Sequence, residues 1–373
     1  MLLGDSALFG LLAVALYRRF GRAHLAALLI FPALAPAWLL TGATWLPDLP
    51  AGLLTSLALV CAYPAARALV AERQPRLVDV AAMEVALVAA LYLRGPALLL
   101  TLALHAMFVV LALAGGSGRW RRLAIVIAGL AGFAAALVPW SLAASRHFDA
   151  RVVTTTNVPL VFADSFGDPA RTCFGPCAKG QDIWPAWRYA QQRAARKGSN
   201  ALTVERAMMA HSIAGLTPRA YLAKVRGNFG RLLFDPPGVV ERQVSRMYRV
   251  PPDLRGTVLT LVGALTLTLY VPFMLALLLV NLLPLRTSAS VRMQSVLLKL
   301  ATACALAQPF VHKASARYWT GFAPLMAWAA ALLWCAWRAR GTSTVGEHSH
   351  WLDRIQLAYA AVFVTLGTAI MLA

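Results

Sequence analysis

A single carboxylate between two prolines is the first feature of this sequence that could take part in chemistry. Asp48 stands in the stretch TGATWLPDLPAGL, with long apolar runs on both sides. Basic side chains occur at two other breaks between apolar runs: Arg94 in LRGPA, where Gly-Pro predicts a tight turn between two helices, and the cluster of His312, Lys313 and Arg317 in HKASARY. A carboxylate can bind a divalent cation, and a guanidinium group can donate two hydrogen bonds to a phosphate. These residue types could therefore hold a phosphate group.

Each of these residues also has a simpler interpretation. Asp48 could be a solvated acid that disfavours the cytoplasmic side, or one that caps the helix beginning near Pro50. Arg94 could extend its charged end to a membrane interface, as long basic side chains do. Arg317 could belong to an interfacial anchor, for which Tyr318 and the tryptophan after it are well suited. The residue types alone leave both interpretations open.

The one long polar region of the chain holds a second set of candidates. Asp164, Asp168 and Trp184 could contact a substrate, although aromatic residues at membrane level are more often interface anchors. Cys173 and Cys177 are spaced as CxxxC with Gly-Pro between them, which permits a disulfide in an oxidising compartment. A metal pair is less expected, because no further Cys or His lies nearby at ligand spacing.

Two more polar residues fall within apolar runs. Glu84 lies in AAMEVAL, and acids within a membrane are costly and often functional. Because its run is short, Glu84 could instead lie near a cytoplasmic end. His105 is expected to be a histidine that serves helix packing.

The composition indicates a membrane protein. Of 373 residues, 60% are hydrophobic and 13% charged, and the mean hydropathy is +0.65. One soluble core could not bury that much apolar surface. The formal net charge of +20 could suggest nucleic acid, but the basic residues cluster at the ends of apolar runs, as topology signals do. No nucleic-acid-binding signature is present, so we expect no nucleic-acid partner.

The apolar runs predict about ten helices that cross the lipid bilayer. They cover residues 2–17, 24–43, 50–71, 79–93, 95–115, 123–143, 257–283, 292–311, 318–337 and 355–373. The fold class is therefore predicted as all-α and polytopic. We expect membrane helices over 1–143 and 257–373, with a small, mostly helical region outside the membrane over 144–256. Within that region, Thr203 and Thr217 are predicted to cap two helices.

Arginine-rich loops alternate with loops that are poor in basic residues. The basic loops are YRRFGR, ARALVAERQPR, GGSGRWRR, LRTSASVR and RARG. Because short positive loops stay in the cytoplasm, Asp48, Arg94, the 144–256 region and the HKASARY loop are expected together on the opposite face. In a bacterium this is the periplasmic face of the inner membrane.

Four stretches, spread over most of the chain, carry a resemblance to a known family. They are ALAPAWLLTGATWLPDLPAGLLTSLAL, AAMEVALVAALYLRGPALLL, AALVPWSLAASRHFDARVVTTTNVPLVFADSFGDP and VHKASARYWTGFAPLMAW. In order and spacing they resemble the GT-C glycosyltransferases of the protein O-mannosyltransferase and aminoarabinose transferase type. These integral membrane enzymes use polyprenyl-phosphate sugars. The resemblance implies transfer of a sugar from such a donor to a periplasmic lipid, glycan or protein.

The resemblance also implies roles for individual residues. Asp48 resembles the family's second acid on the outer face, which supports a metal or the substrate, so Asp48 is our candidate catalytic residue and a magnesium or manganese ion a candidate cofactor. Arg317 followed by Tyr318 matches the family pattern. The predicted ligands of the lipid phosphate are Arg94, His312, Lys313, Arg317 and Tyr318, and the predicted acceptor region comprises Asp164, Asp168 and Trp184.

Two other functions remain open at this stage. Family members have a first helix and an outer loop with an acidic general base, and this chain is expected to start after them. Asp5 has no flanking motif that equates it with that base. The chain could thus be an inactive relative that acts as a binding or assembly subunit. A transporter of lipid-linked material is the weaker alternative, because no paired interrupted helices mark two symmetric halves.

Overall fold

The fold is helical throughout the part of the chain that the computed structural model describes. The described residues are 2–43, 47–116, 118–156, 158–175, 183–236, 238, 251–313, 316–339 and 350–372. About 83% of these described residues are helical, and none of them lies in a strand. The predicted all-α fold class is confirmed.

Fifteen α-helices are described. In chain order they are α1 (Leu2–Phe20), α2 (Arg22–Ile30), α3 (Pro36–Gly42), α4 (Asp48–Val70), α5 (Leu77–Leu93), α6 (Ala97–Ala114), α7 (Arg119–His147), α8 (Val158–Phe166), α9 (Ile183–Lys197), α10 (Ala201–Ile213), α11 (Pro218–Phe234), α12 (Pro252–Leu282), α13 (Ala289–Leu306), α14 (Trp319–Arg338) and α15 (His350–Leu372). Short 3-10 turns cover Pro169–Arg171, Gln308–Phe310 and Ala316–Tyr318.

Six of the described helices, namely α4, α6, α7, α12, α14 and α15, are long and apolar enough to cross a membrane. Apolar side chains on these helices remain widely exposed, for example Val110 in α6 and Val362 in α15. Surface of this kind suits lipid better than water. The protein therefore has the apolar helices typical of a membrane protein, but the predicted number of ten spans is not confirmed.

The prediction of one continuous helix over 24–43 is wrong. The structure breaks this run into α2 and α3, and Phe31 between them adopts an extended conformation. Pro32 and Pro36 explain the break, because proline lacks the N–H that an inner helical turn requires and disfavours helical geometry in the residue before it. Pro36 instead begins α3, a position where the missing N–H costs nothing.

The first of two compact units comprises Met1–Phe133, Leu232–Leu306 and Ala316–Thr368. Helix α4 lies at its centre and packs against α1, α5 and α14. The core of this unit includes the fully buried indoles of Trp319 and Trp328 in α14. A central helix with neighbours on several sides can position side chains at its ends with little freedom.

The second unit comprises Ala134–Arg231, Ala307–Ser315 and Ala369–Ala373. Its helices α8 to α11 surround two apolar clusters, one around Met208 and the other around Phe166. The caps of two helices test the sequence prediction. Thr217 accepts a hydrogen bond from the N–H of Ala220 at the start of α11, as predicted. The predicted cap at Thr203 is wrong, because Asn200 caps α10 through the N–H of Leu202.

Candidate functional site

Asp48 is the first residue of α4, and its side chain is buried. Pro47 precedes it and Pro50 lies in the first turn, where proline fits because the first N–H groups of a helix have no partner within the helix. The negative charge also lies at the favourable end of the helix dipole. The residue is only 2% exposed, so the interpretation of Asp48 as a solvated acid is wrong.

Arg94 forms an ion pair with this buried acid. It ends α5 in an extended conformation, and the next helix begins at Ala97, so the tight turn predicted at LRGPA is present. One terminal nitrogen of the Arg94 guanidinium contacts Oδ1 of Asp48. The interpretation of Arg94 as a side chain that merely reaches for the interface therefore does not describe the structure.

Arg317 reaches the other oxygen of the same carboxylate. Its Nε lies 3.3 Å from Oδ2 of Asp48. The Tyr318 ring lies against both guanidinium groups, with its centroid 4.4 Å from Cζ of Arg94 and 5.3 Å from Cζ of Arg317. A cation over an aromatic face is attracted by the electrons of the ring. The structure thus brings Asp48, Arg94, Arg317 and Tyr318 together, and we call these four residues the Asp48 cluster.

The Asp48 cluster has a surplus of positive charge. One carboxylate faces two guanidinium groups, which gives a formal charge of +1. The Asp48 side chain is 1% exposed, whereas those of Arg94 and Arg317 are 19% and 34% exposed. The uncompensated charge is therefore carried on the accessible side of the cluster. Such an arrangement can bind an anion, because each guanidinium has more N–H donors than one carboxylate oxygen can use.

The contacts on Asp48 are ion pairs rather than hydrogen bonds of regular geometry. Within the described residues, neither carboxylate oxygen has a hydrogen-bond partner. A buried carboxylate is stable only when charge compensates its lost hydration. Asp48 therefore depends on both arginines, and the arginines depend on it for their orientation.

A divalent metal does not fit the Asp48 cluster as it is arranged. Both oxygens of Asp48 face guanidinium groups, so a cation would have to displace at least one arginine and would be repelled by the other. Among the described residues, no three His, Cys, Asp or Glu side chains group as metal ligands. The predicted magnesium or manganese ion stays a prediction.

Two hydrogen bonds support the Arg317 segment, and no motif in the sequence singles out the residues that form them. The indole N–H of Trp38 donates to the carbonyl of Thr320 over 3.1 Å, and the Thr320 hydroxyl donates to the carbonyl of Arg317 over 2.6 Å. Trp38 stands 282 positions before Thr320. No periodicity or spacing in a single sequence can reveal a contact over that separation.

His312, Lys313 and Asp164 belong to the second unit. Nζ of Lys313 lies 3.6 Å from Oδ2 of Asp164, so the predicted phosphate ligand and the predicted acceptor residue form an ion pair with each other. The ring Nδ1–H of His312 donates to the carbonyl of Lys313. The Asn228 amide donates to the carbonyls of Pro309 and His312, which fastens this segment to α11.

The other candidates in the polar region have structural contacts or fall outside the described residues. Asp168 caps the 3-10 turn that follows it by accepting from the N–H of Ala170 over 2.9 Å. Cys173 is buried and disulfide-bonded, whereas Cys177, its predicted partner, lies outside the described residues. Trp184 lies in α9, but its side chain is not among the described ones.

Glu84 and His105 form a second buried polar contact in the first unit. Nε2 of His105 lies 2.8 Å from Oε1 of Glu84, and its Nδ1–H donates to the carbonyl of Thr101. Because Nδ1 already donates to a carbonyl, the contact between Nε2 and a carboxyl oxygen requires one proton between these two atoms. The pair is neutral overall whether that proton resides on the imidazole or on the carboxyl group. The expectation that His105 serves helix packing agrees with these contacts.

Comparisons of the chain with protein-family models, with curated proteins and with solved structures found no match.

Proposed function

We propose that the chain is a membrane glycosyltransferase that takes a sugar from a polyprenyl-phosphate donor and delivers it to a lipid, glycan or protein acceptor. The observation that carries the proposal is the Asp48 cluster, a buried acid with two partly accessible arginines at the ends of apolar helices. The resemblance of the sequence to the GT-C glycosyltransferases supports the same reading. We further propose the bacterial inner membrane as the location and the periplasmic face as the side of the reaction.

Charge complementarity favours a donor linked through one phosphate. A sugar joined to a lipid by a single phosphate is a phosphodiester with one negative charge, and the Asp48 cluster carries a formal charge of +1. Binding would leave the cluster neutral, which lowers the cost of holding charges next to the buried Asp48 carboxylate. A diphosphate-linked sugar would bring an excess of negative charge into the same space.

The arginines would also stabilise the products of transfer. The bond between the anomeric carbon of the sugar and the phosphate oxygen breaks, and its electron pair stays on the phosphate. The acceptor oxygen forms the new bond to the anomeric carbon and loses its proton to a base. Negative charge thus grows on the phosphate, where the guanidinium groups of Arg94 and Arg317 can donate to it. Asp48 supports this step by holding both arginines.

One observation favours the second candidate, a subunit that binds a lipid phosphate without transferring a sugar. Because two guanidinium groups face the Asp48 carboxylate, it is not free to accept the acceptor's proton in this arrangement. A general base would have to come from another group or from a rearrangement of the cluster. Measuring binding and transfer separately distinguishes the two candidates.

The test uses the full chain in lipid nanodiscs with radiolabelled polyprenyl-phosphate sugars and a bacterial envelope extract as the acceptor source. Binding of polyprenyl phosphate is measured in parallel. We expect Arg317→Ala to weaken binding on the order of 100-fold, since an interaction between a charged group and a phosphate contributes a few kcal/mol. Asp48→Asn is expected to weaken binding and transfer together, because the arginines lose their common anchor.

Arg19→Ala is the matched control, since Arg19 forms an ion pair with Asp79 over 2.8 Å in the same unit. It should leave binding and transfer unchanged. Binding without transfer of any sugar tested would support the binding subunit instead of the enzyme. Equal binding by wild type, Arg317→Ala and Arg19→Ala would remove the Asp48 cluster from the function altogether.

A further inference from the structure

Helices α4 and α14 touch backbone to backbone at two glycines. A methyl group added at Gly52 would lie 2.0 Å from the carbonyl oxygen of Gly321. No side chain can turn away to relieve that overlap, because the opposing atom belongs to the backbone. Small residues permit this kind of close approach between membrane helices. Any larger residue at Gly52 must therefore push the two helices apart.

This crossing lies one helical turn from the ion pairs of the Asp48 cluster. Asp48 lies one turn before Gly52 in α4, and Arg317 lies one turn before Gly321 at the start of α14. A methyl group added at Gly321 would lie 3.1 Å from the carbonyl oxygen of Asp48. The start of α14 therefore packs closely against the backbone of Asp48.

Hydrogen bonds connect the segment that carries Arg317 to the start of α14. The hydroxyl of Thr320, the residue before Gly321, donates to the carbonyl of Arg317. The indole of Trp38 holds the carbonyl of Thr320 in turn. A shift of α14 away from α4 would consequently lengthen the 3.3 Å contact between Nε of Arg317 and Oδ2 of Asp48.

We propose that Gly52 and Gly321 are positioning residues for the anion site: their close contact sets the separation of Arg317 from Asp48. The consequence for a bound phosphate rests on the proposed function, but the consequence for the ion pair does not. Gly52 has the stronger influence on this separation, because its contact with the backbone of Gly321 leaves no room for a methyl group. Gly321 is the weaker one, since a shift of a few tenths of an ångström could admit a methyl group there.

A double-mutant cycle without ligand tests the positioning directly. The thermal unfolding midpoint of the full chain in nanodiscs is measured for wild type, Gly52→Ala, Arg317→Ala and the double variant. If Gly52 holds the ion pair together, Gly52→Ala lowers the midpoint less in the Arg317→Ala background than in wild type, because the pair is already lost. Equal shifts in the two backgrounds would overturn the inference, whatever the protein binds.

The same four proteins are then titrated with polyprenyl phosphate. Gly52→Ala is expected to weaken binding by at least about tenfold in wild type, as misplacement of a binding group by a fraction of an ångström or more does. In the Arg317→Ala background it should weaken binding no further. Failure of wild type to bind would count against the proposed function alone, since the ligand-free cycle still decides the positioning role.

Gly42→Ala is the matched control, because Gly42 is also buried in the first unit but an added methyl group would meet only Cδ1 of Leu49, at 3.5 Å. Gly42→Ala should show no coupling to Arg317→Ala in the unfolding midpoint, and it should leave the affinity for polyprenyl phosphate unchanged.

If Gly52→Ala yields no folded protein, Gly321→Ala replaces it in the double-mutant cycle. The coupling to Arg317→Ala is expected to have the same sign and a smaller size. Additive effects of Gly321→Ala and Arg317→Ala would then reject the proposal.

Discussion

Two buried carboxylates in the first unit have opposite charge environments. Asp48 faces Arg94 and Arg317 and belongs to a group with a formal charge of +1, whereas Glu84 shares a proton with His105 in a pair that is neutral. Both acids are less than one-tenth exposed. Burial alone therefore does not separate a candidate binding site from a packing contact. The surplus of accessible positive charge around Asp48 does.

The two carboxylates also differ in how closely neighbouring helices enclose them. At Glu84 a third helix closes over the pair, since a methyl group added at Gly129 of α7 would lie 3.0 Å from Oε1 of Glu84. At the Asp48 cluster the guanidinium groups remain partly exposed. The neutral pair is enclosed and the charged cluster is open.

Removal of the Asp48 charge is the change with the largest expected effect on stability. Asp48→Asn leaves two guanidinium groups close together without their shared anion. Loss of one partner from a buried ion pair destabilises by about 3–5 kcal/mol. Thermal unfolding of the full chain in nanodiscs measures the effect. Asp79→Asn is the comparison variant: Asp79 is also buried, but it has one described ion-pair partner, Arg19, whose side chain is 41% exposed, so water screens the pair and the loss is expected to be smaller. Equal losses would contradict the special dependence of Asp48 on two partly buried arginines.

A third buried acid, Glu205 in the second unit, extends the comparison to a carboxyl group whose pKa is shifted by burial alone. Burial raises the pKa of Glu205 from 4.5 to about 7. Between these values the folded chain keeps a proton that the unfolded chain releases, so stability falls as the pH rises from 4.5 to 7. The loss is expected to reach about 3 kcal/mol, from the size of the shift.

Thermal unfolding between pH 4.5 and 8 measures this loss, with Glu205→Gln as the partner variant. The amide cannot release a proton, so the variant should lose less stability than wild type over this range. Parallel curves for the two proteins would show that another group titrates. The contrast with Asp48 lies in the neighbours of the two carboxyl groups, because two guanidinium groups contact Asp48, whereas burial is what acts on Glu205.

A smaller effect is expected when the charge of the Asp48 cluster is kept but its shape is changed. Arg94→Lys preserves the formal charge of +1 and removes the planar donor arrangement. A lysine cannot contact a carboxylate and a phosphate as a guanidinium does, so binding of polyprenyl phosphate should weaken about tenfold. Arg19→Lys should not change binding. An unchanged affinity for Arg94→Lys would mean that net charge, rather than donor geometry, defines the site.

Sequence reasoning was most successful where local chemistry decides the structure. The apolar runs predict the all-α class. Gly-Pro predicts the turn after Arg94, and the hydroxyl of Thr217 before Pro218 predicts a helix cap. The prediction of one helix over 24–43 failed because the prolines in that run outweigh its continuous apolar character. The residue types left two interpretations of Asp48 open, and the structure decides against the solvated one because two arginines from distant positions compensate its charge and allow burial. Distant pairings of this kind have no periodicity to reveal them.

The smallest effect is expected at Glu84, where the comparison between the two acids is tested most directly. Glu84→Gln keeps the shape of the side chain, and its amide can donate to Nε2 of His105 because Nδ1 holds the ring's other proton against Thr101. The pair was neutral before the change and stays neutral after it, so we expect a loss of stability below about 1 kcal/mol. Glu84→Ala should cost more, about 1–3 kcal/mol, since it leaves a buried imidazole nitrogen without a partner. Both variants should bind polyprenyl phosphate as wild type does. A large loss of binding in Glu84→Gln, with its fold intact, would show that the neutral pair also serves the anion site and would end the distinction drawn between the two carboxylates.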